Sequence, residues 1–134
     1  MTWGVLIALL PLGGPVAGAE WEAPPEERTR TSPITVDEGT LLTGRALYQK
    51  HCASCHGDKG KGDGPQAAHS REMPGDLTDP ELQARLTDGE ILWKITTGLR
   101  EGPEIIMPSV AKKVPSEADR WKLVAFVRTL AAKH

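Results

Sequence analysis

The sequence predicts an all-α domain of short helices joined by unusually long loops. Three stretches place apolar residues at the spacing of an amphipathic helix, and a fourth, shorter stretch starts with Asp79-Pro80, a typical helix beginning. No stretch alternates apolar and polar residues convincingly as a half-buried strand does, and no internal repeat is found. The chain of 134 residues has room for one domain of ordinary size.

The first 19 residues carry no charged side chain and end in Ala17-Gly18-Ala19, the small-residue pattern of a signal peptidase site. We therefore expect a signal peptide over residues 1–19, cleaved before Glu20. A membrane anchor is the alternative, but proline and glycine interrupt the run and leave no more than ~18 apolar positions where ~20 are needed. The basic residue that usually precedes the apolar stretch is missing, so a retained leader stays open.

Residues 20–38 combine prolines with many charged side chains, a composition typical of a tether or an extended strap. Trp21 and Ile34 are the residues in it that can dock on the domain. The six acids and two bases of residues 20–39 give a net charge of −4, and residues 40–134 have a net charge of +2. Neither value has the strong basic excess of a nucleic-acid-binding protein.

Four helices are expected after the strap. The first starts near Thr40 and runs directly into Cys52, and the second is the short helix from Pro80 through Leu86. Thr87 has the spacing of a capping box and begins the third helix, which ends at Gly98. Ser116 caps the last helix. The predicted inward-facing residues of the third and last helices are Ile91, Leu92, Ile95, Leu123, Phe126, Val127 and Leu130.

Two long loops separate these helices, and the core between them is thin. The glycine-rich run GDKGKGDGP at 57–65 predicts a surface loop, and residues 99–115, with three prolines, predict another. The domain contains only four aromatic residues, Tyr48, Trp93, Trp121 and Phe126. Small domains of this kind need a covalent crosslink, a metal or a cofactor for stability, and a large apolar cofactor would complete the hydrophobic core.

The two cysteines of the chain, Cys52 and Cys55, stand in the run HCASCH at 51–56. A disulfide across so short a loop would stabilise little. A structural zinc site needs four ligands and would have to recruit histidines, and a thioredoxin-like redox motif would need a βαβ context that the sequence lacks. Cys-x-x-Cys-His is the attachment signature of c-type haem. Each sulfur would form a thioether with a vinyl group, and His56 would bind the iron.

Five segments extend this signature into a resemblance. They are GRALYQKHCASCHG at 44–57, GKGDGP at 60–65, DGEILWKITTG at 88–98, MP at 107–108 and DRWKLVAFVRTL at 119–130. With them the chain resembles the class I c-type cytochromes, specifically the small single-haem bacterial ones, over residues 39–131. The resemblance implies a cytochrome c fold, with about four short helices and long loops wrapped around one covalently attached haem, in a domain at 39–134.

The resemblance also implies a methionine ligand on the far side of the haem, and Met107 occupies the matching position. Met107 lies 51 residues after His56 in a long loop, and Pro108 favours an extended backbone there. Met73, also followed by proline, is the competitor, but it lies only 17 residues after His56. We expect His51 and His69 at the surface rather than on iron. Gly44 and Tyr48 match the family's contact between the first and last helices.

With His56 and Met107 on the iron, no open position remains for substrate, so we expect one-electron transfer rather than enzymatic activity. The expected protein is a periplasmic electron carrier or the small cytochrome subunit of a periplasmic oxidoreductase, with a redox protein as donor and another as acceptor. Two alternatives stay open: a haem sensor or peroxidase-like enzyme in which the Met107 ligand is displaced, and a thiol protein without haem. Four loop lysines are candidates for steering an acidic partner: Lys59, Lys61, Lys112 and Lys113.

Overall fold

The computed structural model describes residues 2, 4, 5 and 21–131, and the signal peptide predicted over 1–19 falls almost wholly outside them. The helices of the described part are α1 (Pro25–Arg28), α2 (Glu38–His51), α3 (Ala53–His56), α4 (Pro80–Arg85), α5 (Asp88–Thr97) and α6 (Glu117–Leu130), with a 3₁₀ turn at Ala67–His69. Two strands, β1 (Leu99–Glu101) and β2 (Glu104–Met107), form an antiparallel hairpin. The four helices expected from the sequence are α2, α4, α5 and α6, so the all-α fold is confirmed.

Local capping explains where three of these helices begin. The side chains of Asp79, Thr87 and Ser116 each accept a hydrogen bond from a backbone N–H in the first turn of α4, α5 and α6. The first helix begins earlier than predicted, because Asp37 caps it by accepting from the N–H of Thr40 at 2.8 Å. Each cap satisfies a donor that the helix cannot pair internally.

Helices α2 and α6 pack against each other and build the centre of the core. Gly44 lies against the backbone of Lys122, and the rings of Tyr48 and Phe126 meet with their centroids 5.2 Å apart. This confirms the contact between first and last helices that the resemblance implied. All seven residues predicted to face inward on α5 and α6 are buried.

The first helix runs directly into the cysteine pair, as predicted: α2 ends at His51, and a separate turn, α3, follows Cys52. One prediction about local structure is wrong. Residues 99–115 are not a continuous loop, since β1 and β2 lie within them. Strands of three and four residues are too short for an alternating pattern to be read from the sequence.

The strap, which we define as residues 21–38, packs along α5 and the start of α6. It contains the short helix α1, which its charged composition did not predict. Ala23 is buried, and the hydroxyl of Thr87 donates to the carbonyl of Arg28 at 2.6 Å. Ile34 packs against the core, as its apolar character suggested. In the part of the chain that the structure describes, no helix has both the length and the apolar character to cross a membrane.

Candidate functional site

Within the motif at 51–56, Cys52 is followed by the single helical turn α3. The amides of Cys55 and His56 both donate to the carbonyl of Cys52, at 3.2 and 2.9 Å. Cys52 is buried, Cys55 is half-buried, and both thiols are free. The structure therefore brings three of the four predicted site residues together on one turn, as their spacing requires.

The ring of His56 is oriented by a backbone carbonyl. Its Nδ1 lies 3.1 Å from the carbonyl oxygen of Gly75, and because a carbonyl can only accept, Nδ1 carries the proton. Burial lowers the pKa of His56, while the bond to Gly75 acts in the opposite direction. The result is a neutral imidazole whose Nε2 lone pair is available, which is the form in which histidine binds a metal.

The glycine-rich loop at 57–65, predicted as a surface loop, also makes backbone hydrogen bonds to α3. The amides of Gly62 and Gly64 donate to the carbonyls of His56 and Cys55, at 2.7 and 3.0 Å, and the amide of Gln66 donates to Ser54 at 2.7 Å. These are the carbonyls that a helix leaves without partners at its carboxyl end. The loop thus holds α3 in place by backbone contacts, a role that its composition alone did not reveal.

Tyr48 fixes the other side of the same turn. It is fully buried, and its hydroxyl donates to the carbonyl of Gly57 at 2.6 Å. Burial raises the pKa of Tyr48 well above its usual range, so the phenol stays protonated and keeps donating. The residue after His56 is therefore tied to α2.

The surroundings of Cys52 do not favour its thiolate form. Burial, followed by the influence of Cys55, raises the pKa of Cys52 to about 12. A thiol with so high a pKa is a poor nucleophile, since the thiolate is the attacking form. Across residues 2, 4, 5 and 21–131, no group of three or more histidine, cysteine or acidic side chains is arranged to hold a metal ion.

The two candidate methionines have different surroundings. Met107 ends β2, is half-buried, and packs against the apolar cluster that contains Cys52. Met73 is 77% exposed and stands two residues before Gly75, the partner of the Nδ1 atom of His56. His51 is half-buried and His69 is exposed.

The chain around Met107 is anchored to the carboxyl end of α5. The hydroxyl of Ser109 donates to the carbonyl of Thr96 at 2.5 Å, and the amide of Val110 donates to the carbonyl of Ile95 at 3.0 Å. These bonds satisfy terminal helix carbonyls. Ser109 was not singled out from the sequence, because a lone serine in a proline-rich stretch carries no distinguishing signal.

The four lysines predicted to steer a partner are all exposed. Lys59 and Lys61 line a shallow surface recess together with Asp58 and Asp63, so acidic groups flank the basic ones there. Lys112 and Lys113 lie in the turn between Val110 and Val114.

The donor set fits a c-type haem. Two free thiols stand one helical turn apart, and the adjacent imidazole has one nitrogen tied to a carbonyl and the other available. A structural zinc site would need further ligands, which the described residues do not assemble.

Comparisons with known proteins agree with this chemistry. The family described as cytochrome C oxidase, cbb3-type, subunit III matches residues 39–127. A chain of the Kuenenia stuttgartiensis reducing HAO-like protein complex Kustc0457/Kustc0458 is 31% identical and superposes with a TM-score of 0.60, over 73% of this chain and 46% of that one. The KustC0563 c-type cytochrome is 28% identical, with a TM-score of 0.54, over 65% of this chain and 95% of its own.

The chain thus spans less than half the length of the first of these structures. Among curated proteins, none matches the sequence significantly.

Proposed function

Because the chain belongs to the cbb3-type subunit III family of cytochrome c domains, we propose that it is a periplasmic carrier of single electrons with one c-type haem. Membership in this family, together with c-type cytochromes as structural neighbours, makes it a small cytochrome c with a role in haem-based electron transfer. The proposal adds the number of haems, the ligands, the compartment and the partners.

We assign the attachment of the haem to Cys52 and Cys55 and the first axial ligand to His56. The observation that carries this assignment is the bond from the Nδ1 atom of His56 to Gly75, which leaves Nε2 as the coordinating atom. When bound, the haem supplies an iron that cycles between ferrous and ferric states. Two cysteines suffice for one haem and no more.

We assign the second axial ligand to Met107 rather than to Met73. The chain at Met73 leads within two residues to Gly75, which contacts His56 on the nitrogen opposite the coordinating one. Met73 therefore belongs to the side of the haem that His56 already occupies. Met107 is partly buried against the cluster that includes Cys52, and the chain directly after it is bonded to the end of α5. These contacts support Met107 as the ligand from the other face.

The partners we propose are a redox protein as donor and another as acceptor, with the chain acting alone or as the small cytochrome subunit of a periplasmic oxidoreductase. The structural neighbour from a protein complex supports the subunit role. The charge of the chain shows no basic excess that would favour nucleic acid. Export through the leader at 1–19 would bring the protein to the compartment we propose.

The first test is the composition of protein produced together with haem-maturation machinery. We expect a mass equal to the processed chain plus one haem and a pyridine haemochrome spectrum typical of two thioether bonds. Cys52→Ala and Cys55→Ala should each retain less haem, because one thioether is lost. A colourless product with two titratable thiols would instead support the thiol-protein alternative.

The second test concerns the ligand set. Ferric wild-type protein should show the charge-transfer band of methionine-ligated haem, and Met107→Ala should lose it, bind exogenous ligands, and have a lower reduction potential, within the ~0.8 V range that axial ligands span. Met73→Ala is the matched control and should change none of these. Prompt, tight binding of carbon monoxide by the reduced wild-type protein would favour the sensor or peroxidase-like alternative and contradict the carrier.

A further inference from the structure

We propose that Trp21, in the strap, is a positioning residue for the Met107 ligand. The inference rests on the proposed function, because it requires Met107 to bind the haem iron. It assigns to the N-terminal strap a part in the redox site that neither the family match, which starts at residue 39, nor the cysteine motif includes.

Trp21 lies in the strap and contacts the carboxyl end of α5. Its indole Nε1 donates to the carbonyl oxygen of Gly98 at 3.1 Å, across 77 residues of chain. The ammonium of Lys94 lies 4.5 Å from the centroid of the same ring, a cation–π contact that fixes the ring plane over α5. The hydroxyl of Thr97 also approaches the Gly98 carbonyl, at 3.2 Å, but it makes a shorter bond, of 2.9 Å, to Trp93.

Gly98 in turn touches the backbone of Met107. Its φ is +65°, and a Cβ there would lie 2.4 Å from the carbonyl oxygen of Met107 and 2.7 Å from the amide nitrogen of Ser109. Leu99, the next residue, pairs with Met107 in the hairpin. The peptide unit that Trp21 holds is therefore in van der Waals contact with the segment that carries the ligand.

The remainder of the strap keeps Trp21 in place without touching this segment. Arg28 lies 3.4 Å from the buried carboxylate of Glu90 on α5. Arg30 pairs with Glu117 and covers the ring of Trp121 at the start of α6. These contacts offer a control, because they hold the strap at its other end.

The expected effect follows from a two-state equilibrium between bound and dissociated Met107. An exogenous ligand binds only the dissociated state, so its apparent affinity rises in proportion to the population of that state. Trp21→Phe keeps most of the ring but removes the donor to Gly98. We expect imidazole to bind the ferric Trp21→Phe protein about fivefold more tightly than wild type, the factor that one hydrogen bond of ordinary strength represents.

The experiment titrates imidazole into the matured, full-length ferric protein and follows the methionine charge-transfer band. Arg30→Gln is the matched control: it loosens the strap at α6, and we expect its imidazole affinity to stay at the wild-type value. Urea unfolding of both variants records how far each substitution destabilises the protein. A fivefold change in Trp21→Phe alone, at whatever stability, supports the inference.

Two results overturn the inference and leave the proposed function intact. One is an unchanged imidazole affinity in Trp21→Phe while Met107→Ala binds imidazole readily. The other is an equal change in Trp21→Phe and Arg30→Gln, which would make the effect a general loosening of the strap. If the wild-type protein lacks the methionine band, or if Met107→Ala retains it, the ligand assignment itself fails and the inference fails with it.

Discussion

Gly44 on α2 lies so close to Lys122 on α6 that a methyl group on its α-carbon would stand 2.2 Å from the Lys122 carbonyl oxygen. The same methyl group would meet Cβ of Phe126 at 2.8 Å. The obstacle is backbone rather than a movable side chain, so the helices would have to separate. Since α2 leads into the Cys52 turn, this contact links packing in the core to the geometry of the site.

Gly44→Ala should therefore lower the free energy of unfolding of the haem-loaded protein by about 1–3 kcal/mol, the usual cost of overpacking. Gly39→Ala on the same helix is the matched control, because its nearest obstacle is a side-chain oxygen of Asp37 at 3.5 Å. There we expect no loss, and a gain of up to about 1 kcal/mol from helix propensity. Urea unfolding measures both, and equal stability of the two variants would contradict the close approach.

Tyr48→Phe should cost about 1 kcal/mol of stability, because it removes a buried side-chain bond to the carbonyl of Gly57, which keeps its bond from the amide of Gly60. Its ring should still pack on Phe126, so the fold is expected to persist. The measurement is the urea midpoint of the haem-loaded variant against wild type. A variant as stable as wild type would contradict a stabilising role of the Tyr48 hydroxyl.

The features that the sequence predicted depend on local interactions, and the features that it did not predict depend on long-range ones. Thr87 and Ser116 were identifiable because a capping side chain acts on its own helix, within three residues. The bond from His56 to Gly75 was not, since its acceptor is a backbone carbonyl 19 residues away, and every residue has such a carbonyl. Long-range backbone acceptors leave no mark in composition or periodicity.

In the strap, too, the sequence does not reveal long-range contacts, here those of charged side chains. The prolines and charges of this segment are typical of a tether or an extended strap, but the composition could not show that Arg28 faces the buried Glu90. A charge that is solvated in an isolated segment becomes an ion-pair partner only when the fold brings a carboxylate beneath it. The proposed site could be inferred from the sequence for the opposite reason, because covalent haem attachment would require Cys52, Cys55 and His56 to lie close together in the sequence.

Arg128→Lys should destabilise the protein by about 2–3 kcal/mol despite keeping the charge, since the guanidinium makes several charge-assisted bonds that an ammonium cannot reproduce. Its nitrogens bond Asp88 at 2.6 Å, the backbone carbonyl of Gln83 at 2.6 Å and that of Leu86 at 2.5 Å, tying α6 to α4 and α5. Arg71→Lys is the control, because Arg71 is exposed and pairs only at the surface, with Glu101 and Glu104; we expect it to leave the free energy of unfolding essentially unchanged. Comparable losses in denaturant unfolding would rule out the special role of Arg128.

The N-cap of α2 predicts a pH dependence that can be isolated with a single substitution. The backbone N–H of Thr40, followed by its hydroxyl, lowers the pKa of Asp37 below its usual value. A carboxylate with a lowered native pKa adds stability above its unfolded pKa, and this contribution is lost as the pH falls through the native pKa. Asp37→Asn keeps a capping oxygen but cannot titrate.

Wild-type protein should therefore be at least as stable as Asp37→Asn near neutral pH and should lose that advantage progressively below about pH 4, the region of the ordinary aspartate pKa. The other carboxylates titrate alike in both proteins, so the difference between their unfolding free energies reports Asp37 alone. Urea unfolding of the two haem-loaded proteins across this range gives that difference. A constant difference over the whole range would mean that Asp37 is not held as a carboxylate at the helix start.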